Sequence, residues 1–219
     1  MRRALAYLRQ HGARVEFDAG FLAHEEADDA RRALLARLEF DSVEASRVRR
    51  PFSSEMVAIP RRQTAYGEPG TSYRFAGCTV PARPWIPPLR ALRDRVCARA
   101  GFGFNFVLVN HYRSGSDCIG WHRDDEKDLG AEPEIASLSL GATRDFQLRH
   151  RDAFARRGRP ALRPDLATVT LPLVGGSLLV LRHPTNRDWM HQLPRRGGRR
   201  AAQIAERLNL TWRCIEPAR

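Results

Sequence analysis

At 219 residues, 42% hydrophobic and 28% charged, the chain has the size of one compact domain with added loops and a globular composition. Its 37 basic against 25 acidic residues leave a formal charge of +12, a balance that favours a polyanionic partner such as nucleic acid or an acidic membrane surface. No run approaches the ~18 to 20 uninterrupted apolar residues of a membrane span, and the start, MRRALAYLRQHGARV, lacks the apolar core of a signal peptide.

In chain order, residues 1–14 carry four arginines and little else, and read as a loose or partly ordered arm. Leu34, Leu35 and Leu38 recur at helical spacing and predict a helix over roughly 24–39. Residues 45–63 mix Arg, Pro and Ser around Phe52 and read as loop or edge strand. A second helix is expected near 88–99, entered through Pro87-Pro88, with Leu89, Leu92 and Val96 on one face. From 104 onward short β-rich runs follow: 104–112, 135–140, 144–149, 168–173, 177–182 and 207–215. The Arg-rich stretch 150–165 between them reads as an exposed loop. Many strands after two helices predict an α+β, mainly β fold, a sandwich or jelly roll with helices packed on one outer face.

The cysteines (Cys78, Cys97, Cys118, Cys214) stand far apart without CxxC spacing. They suggest neither a zinc site nor a disulfide framework, and a reducing cytoplasm is the expected setting. Only Lys127 is lysine, and alanine is abundant. Both biases fit a GC-rich bacterial genome, so part of the arginine excess reflects codon usage.

His122-Arg123-Asp124-Asp125 carries the first chemical signal. His122 and Asp124, two apart, leave the same face of extended backbone and can address one metal ion. A solvated polar turn is the competing reading, given Glu126 and Asp128 nearby. His191, just beyond a β-rich run, offers a third ligand if the fold returns that turn across the sheet. Two histidines and a carboxylate make the facial triad of non-haem Fe(II) oxygenases; the same trio can hold catalytic zinc.

In 207–213 (RLNLTWR), Arg207, Asn209, Thr211 and Arg213 share one face and Leu208, Leu210 and Trp212 the other. If the polar face turns inward, it makes an arginine-lined pocket for a small dicarboxylate, with Asn110 and Tyr112 one strand away. If outward, the segment is an amphipathic edge strand.

Taken together, N-x-Y (110–112), Gly115, H-x-D-D-E (122–126), His191 and R-x-N-x-T-x-R (207–213) resemble the AlkB family of Fe(II)/2-oxoglutarate dioxygenases over roughly residues 50–215. Runs such as RRQTAYGEPG, RPWIP, FNFVLVN and HPTNRDWMHQLP resemble its double-strand-repairing branch. The resemblance implies a double-stranded β-helix (jelly roll) with a nucleotide-recognition lid. It divides the chain into an N-terminal arm and helix (1–45), lid and supporting helix (46–103) and oxygenase core (104–219), all in one compact domain.

It also implies Fe(II) on His122, Asp124 and His191. Arg207 with Tyr112 would hold the far carboxylate of 2-oxoglutarate, and Arg213 with Asn110 the end nearer the metal. Asn209 and Thr211 would complete that pocket. A flipped base would lie between Phe75 and His122 with Tyr73 and Arg74 alongside, and Asp125 would read its exocyclic amine. Phe52 would be the wedge that fills the gap in a duplex. Seven arginines against two aspartates in 144–163 place phosphate contacts at Arg149, Arg151, Arg156, Arg157 and Arg159. The implied activity is oxidative demethylation of 1-methyladenine and 3-methylcytosine in double- or single-stranded DNA, releasing formaldehyde, succinate and CO2. The expected protein is a monomer of the bacterial cytoplasm, nucleoid-associated when on DNA and not on membranes. An RNA demethylase, a noncatalytic damage-binding protein, a zinc hydrolase and a peptide hydroxylase are the competing readings.

Overall fold

A computed structural model of the chain describes residues 1–42, 46–49, 54–75, 78–155 and 158–216; the side chains of residues 49, 75, 199 and 200 are outside that description. Helix α1 (Arg2–Gln10) leads into β1 (Arg14–Asp18) and α2 (His24–Leu35). Strands β2 (Arg47–Arg49) and β3 (Met56–Ala58) pair only with each other, as do β5 (Ser72–Phe75) and β6 (Cys78–Pro81); between them β4 (Arg62–Gly67) enters a larger sheet. After β7 (Arg83–Pro84) comes α3 (Pro87–Ala100), started by prolines in its first turn and closed by Gly101 at φ 64°. The remaining strands are β8 (Phe106–Tyr112), β9 (Ile119–His122), β10 (Ile135–Gly141), β11 (Arg144–His150), β12 (Val169–Leu173), β13 (Leu178–Arg182), β14 (Trp189–Leu193) and β15 (Arg207–Arg213).

Seven strands form a major sheet in the order β1-β13-β10-β15-β8-β4-β7, and four a minor sheet, β12-β11-β14-β9. All pairings in both are antiparallel except β4 with β7. The major sheet is covered on both faces. Leu138, Leu140, Leu178, Val180, Leu208, Leu210 and Trp212 pack on its outer face with α2 and α3, through Leu34, Leu89 and Val96. Alternate residues Phe106, Leu108, Leu179 and Leu181 pack inward with Leu148, Leu171 and Trp189 of the minor sheet. Hence β8 and β15 are buried at every position, whereas β12 and β14 alternate because one face of the minor sheet meets solvent.

The jelly-roll architecture, both predicted helices and the late strands agree with the sequence reading. Three details differ. Residues 2–10 are a helix with Leu8 fully buried, not a loose arm; α1 lies against β1 and β12 rather than beside the other helices. The major sheet draws β1 and β4 from before residue 104, so its core is not confined to 104–219. Finally, 207–213 is no edge strand, since β15 sits between β10 and β8.

Leu210, fully buried in that central strand, should cost about 2–5 kcal/mol when changed to alanine. Leu162→Ala, at a side chain 75% exposed, should stay within about 0.5 kcal/mol. Urea denaturation of the two variants checks the contrast.

Candidate active site

The inner ends of the two sheets bound a cavity of about 80 Å³, room for several water molecules or one small organic acid. His122 ends β9, Asp124 follows it, and His191 lies on β14 directly opposite His122. One ligand atom from each lies within 4.8 Å of the others, the only such cluster of three among the described residues. The His122 Nδ1 is 2.8 Å from the Gly120 carbonyl. That bond makes Nδ1–H the donor and leaves Nε2 free to ligate. His191 is stacked by Phe146, ring centroids 5.2 Å apart. Asn186 clasps the Asp124 backbone on both sides, accepting from its N–H at 3.2 Å and donating to its carbonyl.

Electrostatics prepare the three groups for a cation. Burial would raise the Asp124 carboxyl, but Arg213 and both imidazoles outweigh it and hold it at about 2. Burial, then the neighbouring His122, push His191 down to about 3; burial lowers His122 as well. A carboxylate beside two neutral imidazoles is the protonation state that metal binding requires.

Opposite the triad, β15 presents Arg207, Asn209, Thr211 and Arg213 to the cavity. Arg207 is 2% exposed, and one guanidinium nitrogen donates to Ser139 Oγ at 2.8 Å. Its other two nitrogens are buried without a partner among the described residues. Burial lowers it to about 10, with Tyr112 acting the other way; Tyr112 lies under the guanidinium at 5.4 Å. A buried cation with free donors is costly by itself and fits an anionic ligand. Asn209 donates to Ser137 Oγ at 2.7 Å and accepts from Thr211 Oγ1 at 3.2 Å. The donor set of the triad and the free face of Arg207 thus suit Fe(II) and the dicarboxylate 2-oxoglutarate.

The other expected residues are placed unevenly. Arg213 reaches Asp124 Oδ2 at 2.9 Å and covers the Tyr73 ring. It stands opposite Phe106 and Asn110 opposite Asn209, and both Arg213 and Asn110 line the cavity. The Asn110 side-chain carbonyl accepts from Arg61 at 2.7 Å and Gln63 at 3.0 Å. Tyr73 lines the cavity and donates its hydroxyl to Glu126 at 2.6 Å. Arg74 turns to Asp128, and Asp125 is half exposed and paired with Arg123. Arg149 lies over Phe154 and donates to the Ala153 carbonyl at 2.8 Å. Arg151 is partly exposed beside Asp152, and Arg159 is exposed. Phe52, Arg156 and Arg157 lie outside the described residues, as does the Phe75 side chain.

Sequence reasoning missed Arg61 and Glu126, both lining the cavity. Arg61 stood inside a quoted run without a role, and only the pairing of β4 with β8 brings it beside Asn110. Glu126 belonged to the H-x-D-D-E run. Burial, reinforced by Asp124, raises its carboxyl to about 7.

A family model described as the 2OG-Fe(II) oxygenase superfamily matches residues 15–213. The chain belongs to that superfamily, as its jelly roll and His-Asp-His centre require. Within it the chain falls among the AlkB homologues. It is 41% identical over 213 residues to the DNA oxidative demethylase ALKBH2 of Mus musculus, covering 97% of this chain and 84% of that protein. The Homo sapiens protein of the same name is 44% identical over 190 residues, covering 87% and 69%. The alpha-ketoglutarate-dependent dioxygenase alkB homolog 3 of Rattus norvegicus is 37% identical, covering 72% and 51%. Among solved structures, OsALKBH1 aligns with TM-score 0.54 and 20% identity over 91% of this chain and 97% of that one. A prolyl hydroxylase from Trichoplax adhaerens, in complex with a hypoxia inducible factor peptide, aligns with TM-score 0.56 and 12% identity, covering 98% and 90%. These two show the shared fold.

His122→Ala should lose iron while leaving the Arg213–Asp124 pair intact. Asp124→Ala should lose iron and also strand Arg213 as a buried unpaired cation, at a cost of about 3–5 kcal/mol. Iron content together with thermal melts of the metal-free proteins separates the two; equal melts would contradict a structural role for the pair.

Proposed function

We propose that the protein is a DNA oxidative demethylase that removes N-methyl groups from 1-methyladenine and 3-methylcytosine. The observation that carries this is the His122–Asp124–His191 cluster facing Arg207 across one cavity. The name DNA oxidative demethylase, borne by relatives up to 44% identical, supplies the substrate class. Fe(II), 2-oxoglutarate and O2 supply the oxidation that converts the N-methyl group to formaldehyde, with succinate and CO2 as co-products.

The chain's own residues hold and orient. Arg207, over Tyr112, takes the far carboxylate of 2-oxoglutarate. Asn110, Asn209, Thr211 and Arg213 shape the rest of that pocket. A methyl on the Watson–Crick edge is inaccessible inside a duplex, so the base must be flipped out. The segment 46–103 supplies the lid over it and the helix that supports the sheet behind, with Tyr73 and Phe75 beside the base. Asp125 favours the cationic lesions over neutral bases once Arg123 releases it. Arg149, Arg151, Arg156, Arg157 and Arg159 take phosphates, and Phe52 is the wedge. An RNA demethylase or a noncatalytic binding protein is less well supported, because the triad is complete and the relatives' names specify DNA. The four cysteines that remain free support a reducing cytoplasm, and the bias to arginine and alanine supports a GC-rich bacterial source.

Formaldehyde release from 1-methyladenine oligonucleotides, duplex and single-stranded, tests the proposal. Release should require both Fe(II) and 2-oxoglutarate; succinate without formaldehyde would mean an oxygenase with another substrate. In the same assay Phe52→Ala should lower activity on duplex more than on single strands. Equal losses would remove the wedge role.

A further inference from the structure

The β5–β6 hairpin is hydrogen-bonded as strand to neither main sheet, yet it carries Tyr73 into the cavity wall. Its seat therefore depends on side chains. Two successive residues of β5 reach the same short segment that follows the metal ligand Asp124. The Tyr73 hydroxyl donates to Glu126, and Arg74 donates from Nε to Asp128 Oδ2 at 2.9 Å and from Nη2 to Oδ1. The second contact is a bidentate fork, the geometry in which an arginine–carboxylate pair holds best. Asp128 is fixed in its turn: Leu129 beside it is buried, and its carbonyl accepts from the Glu216 N–H at 2.8 Å. The Arg74 fork in turn holds the Asp128 carboxyl below its usual range. A crevice lined by Thr71, Thr79, Asn105 and Ile215 runs beside the pair. The hairpin is thus not packed flush against the core there, and the ion pair bridges an open flank.

We infer that Arg74 and Asp128 are a positioning pair that seats the β5–β6 hairpin over the cavity and fastens it to the segment bearing Asp124. Arg74 then acts through Asp128 and not by touching the base. The kinetic part of this inference rests on the proposed demethylase reading; the structural part does not.

Three variants test it: Arg74→Gln, Asp128→Asn and the double substitution. Without nucleic acid, amide hydrogen exchange across 72–81 should accelerate in all three to the same extent. KM for the methylated oligonucleotide should rise roughly threefold to fivefold in each single variant, the scale of a well-formed but partly exposed ion pair. The double variant should show no further rise, and kcat should hold. Slower demethylation in Arg74→Gln with Asp128→Asn unchanged, or additive effects in the double, would overturn the inference and make Arg74 a direct substrate contact. Unchanged exchange in all three would overturn it as well. If the wild-type protein releases no formaldehyde, the demethylase reading fails and the exchange measurement still decides the seating role.

Discussion

The ion pair between Arg213 and Asp124 is the constraint on which the rest of the site depends. Arg213 ends the central strand of the major sheet, and Asp124 follows the edge strand of the minor one, so the pair ties the two layers at their open end. Both side chains are buried, and neither is tolerable there without the other. The pairing fixes the carboxylate in its charged form. It orients one oxygen toward Arg213 and leaves the other near His122, 3.9 Å from its Nε2. A metal ligand and a packing contact are therefore one residue, and the Asn186 clasp holds its backbone in register with the turn before His191.

Arg207 answers a different physical question. Where Arg213 is neutralised within the protein, Arg207 has no carboxylate partner among the described residues: its company is Ser139, the Tyr112 ring and a second cation, Arg144, itself lying over that ring. A buried cation kept without a carboxylate stores an unmet demand for negative charge. The two arginines of one strand face thus divide the labour. One secures the metal side from within, and the other waits for an acid from outside.

This division was only partly legible in the sequence. The alternation of 207–213 separated a polar from an apolar face, because period two survives whatever the strand's neighbours are, but only the family resemblance chose the polar face as the inward one. The alternation did not give the strand's central place, which depends on β10 and β8 arriving on either side. The helices at 24–35 and 87–100 were legible from leucine spacing and from proline at the start of the second. Helix α1 was not, since three of its nine residues are arginine and Leu8 alone is fully buried. Arg61, Glu126 and Asp128 escaped for a shared reason: their partners lie about 50 residues away in sequence. A charge pattern read along the chain cannot pair residues that only the sheets bring together.

The same distinction bears on the arginine excess. On the helix-covered side, Arg31 pairs with Glu206, Arg93 with Glu68, Arg95 with Glu26 and Arg99 with Asp18. Those arginines are compensated and contribute little to a distant field. Arg149, Arg159 and Arg195 have no carboxylate in ion-pair range among the described residues. The first donates to the Ala153 carbonyl and the last to the Ser116 carbonyl. Only uncompensated charge releases counterions when it meets phosphate. Codon usage can enrich arginine everywhere, but it does not choose which arginines receive acidic partners. Of these three, Arg149 lies on β11 of the minor sheet, whose strands β9 and β14 carry the histidine ligands, and Arg195 comes just after β14 in sequence, so part of the uncompensated charge belongs to the layer that bears the metal centre.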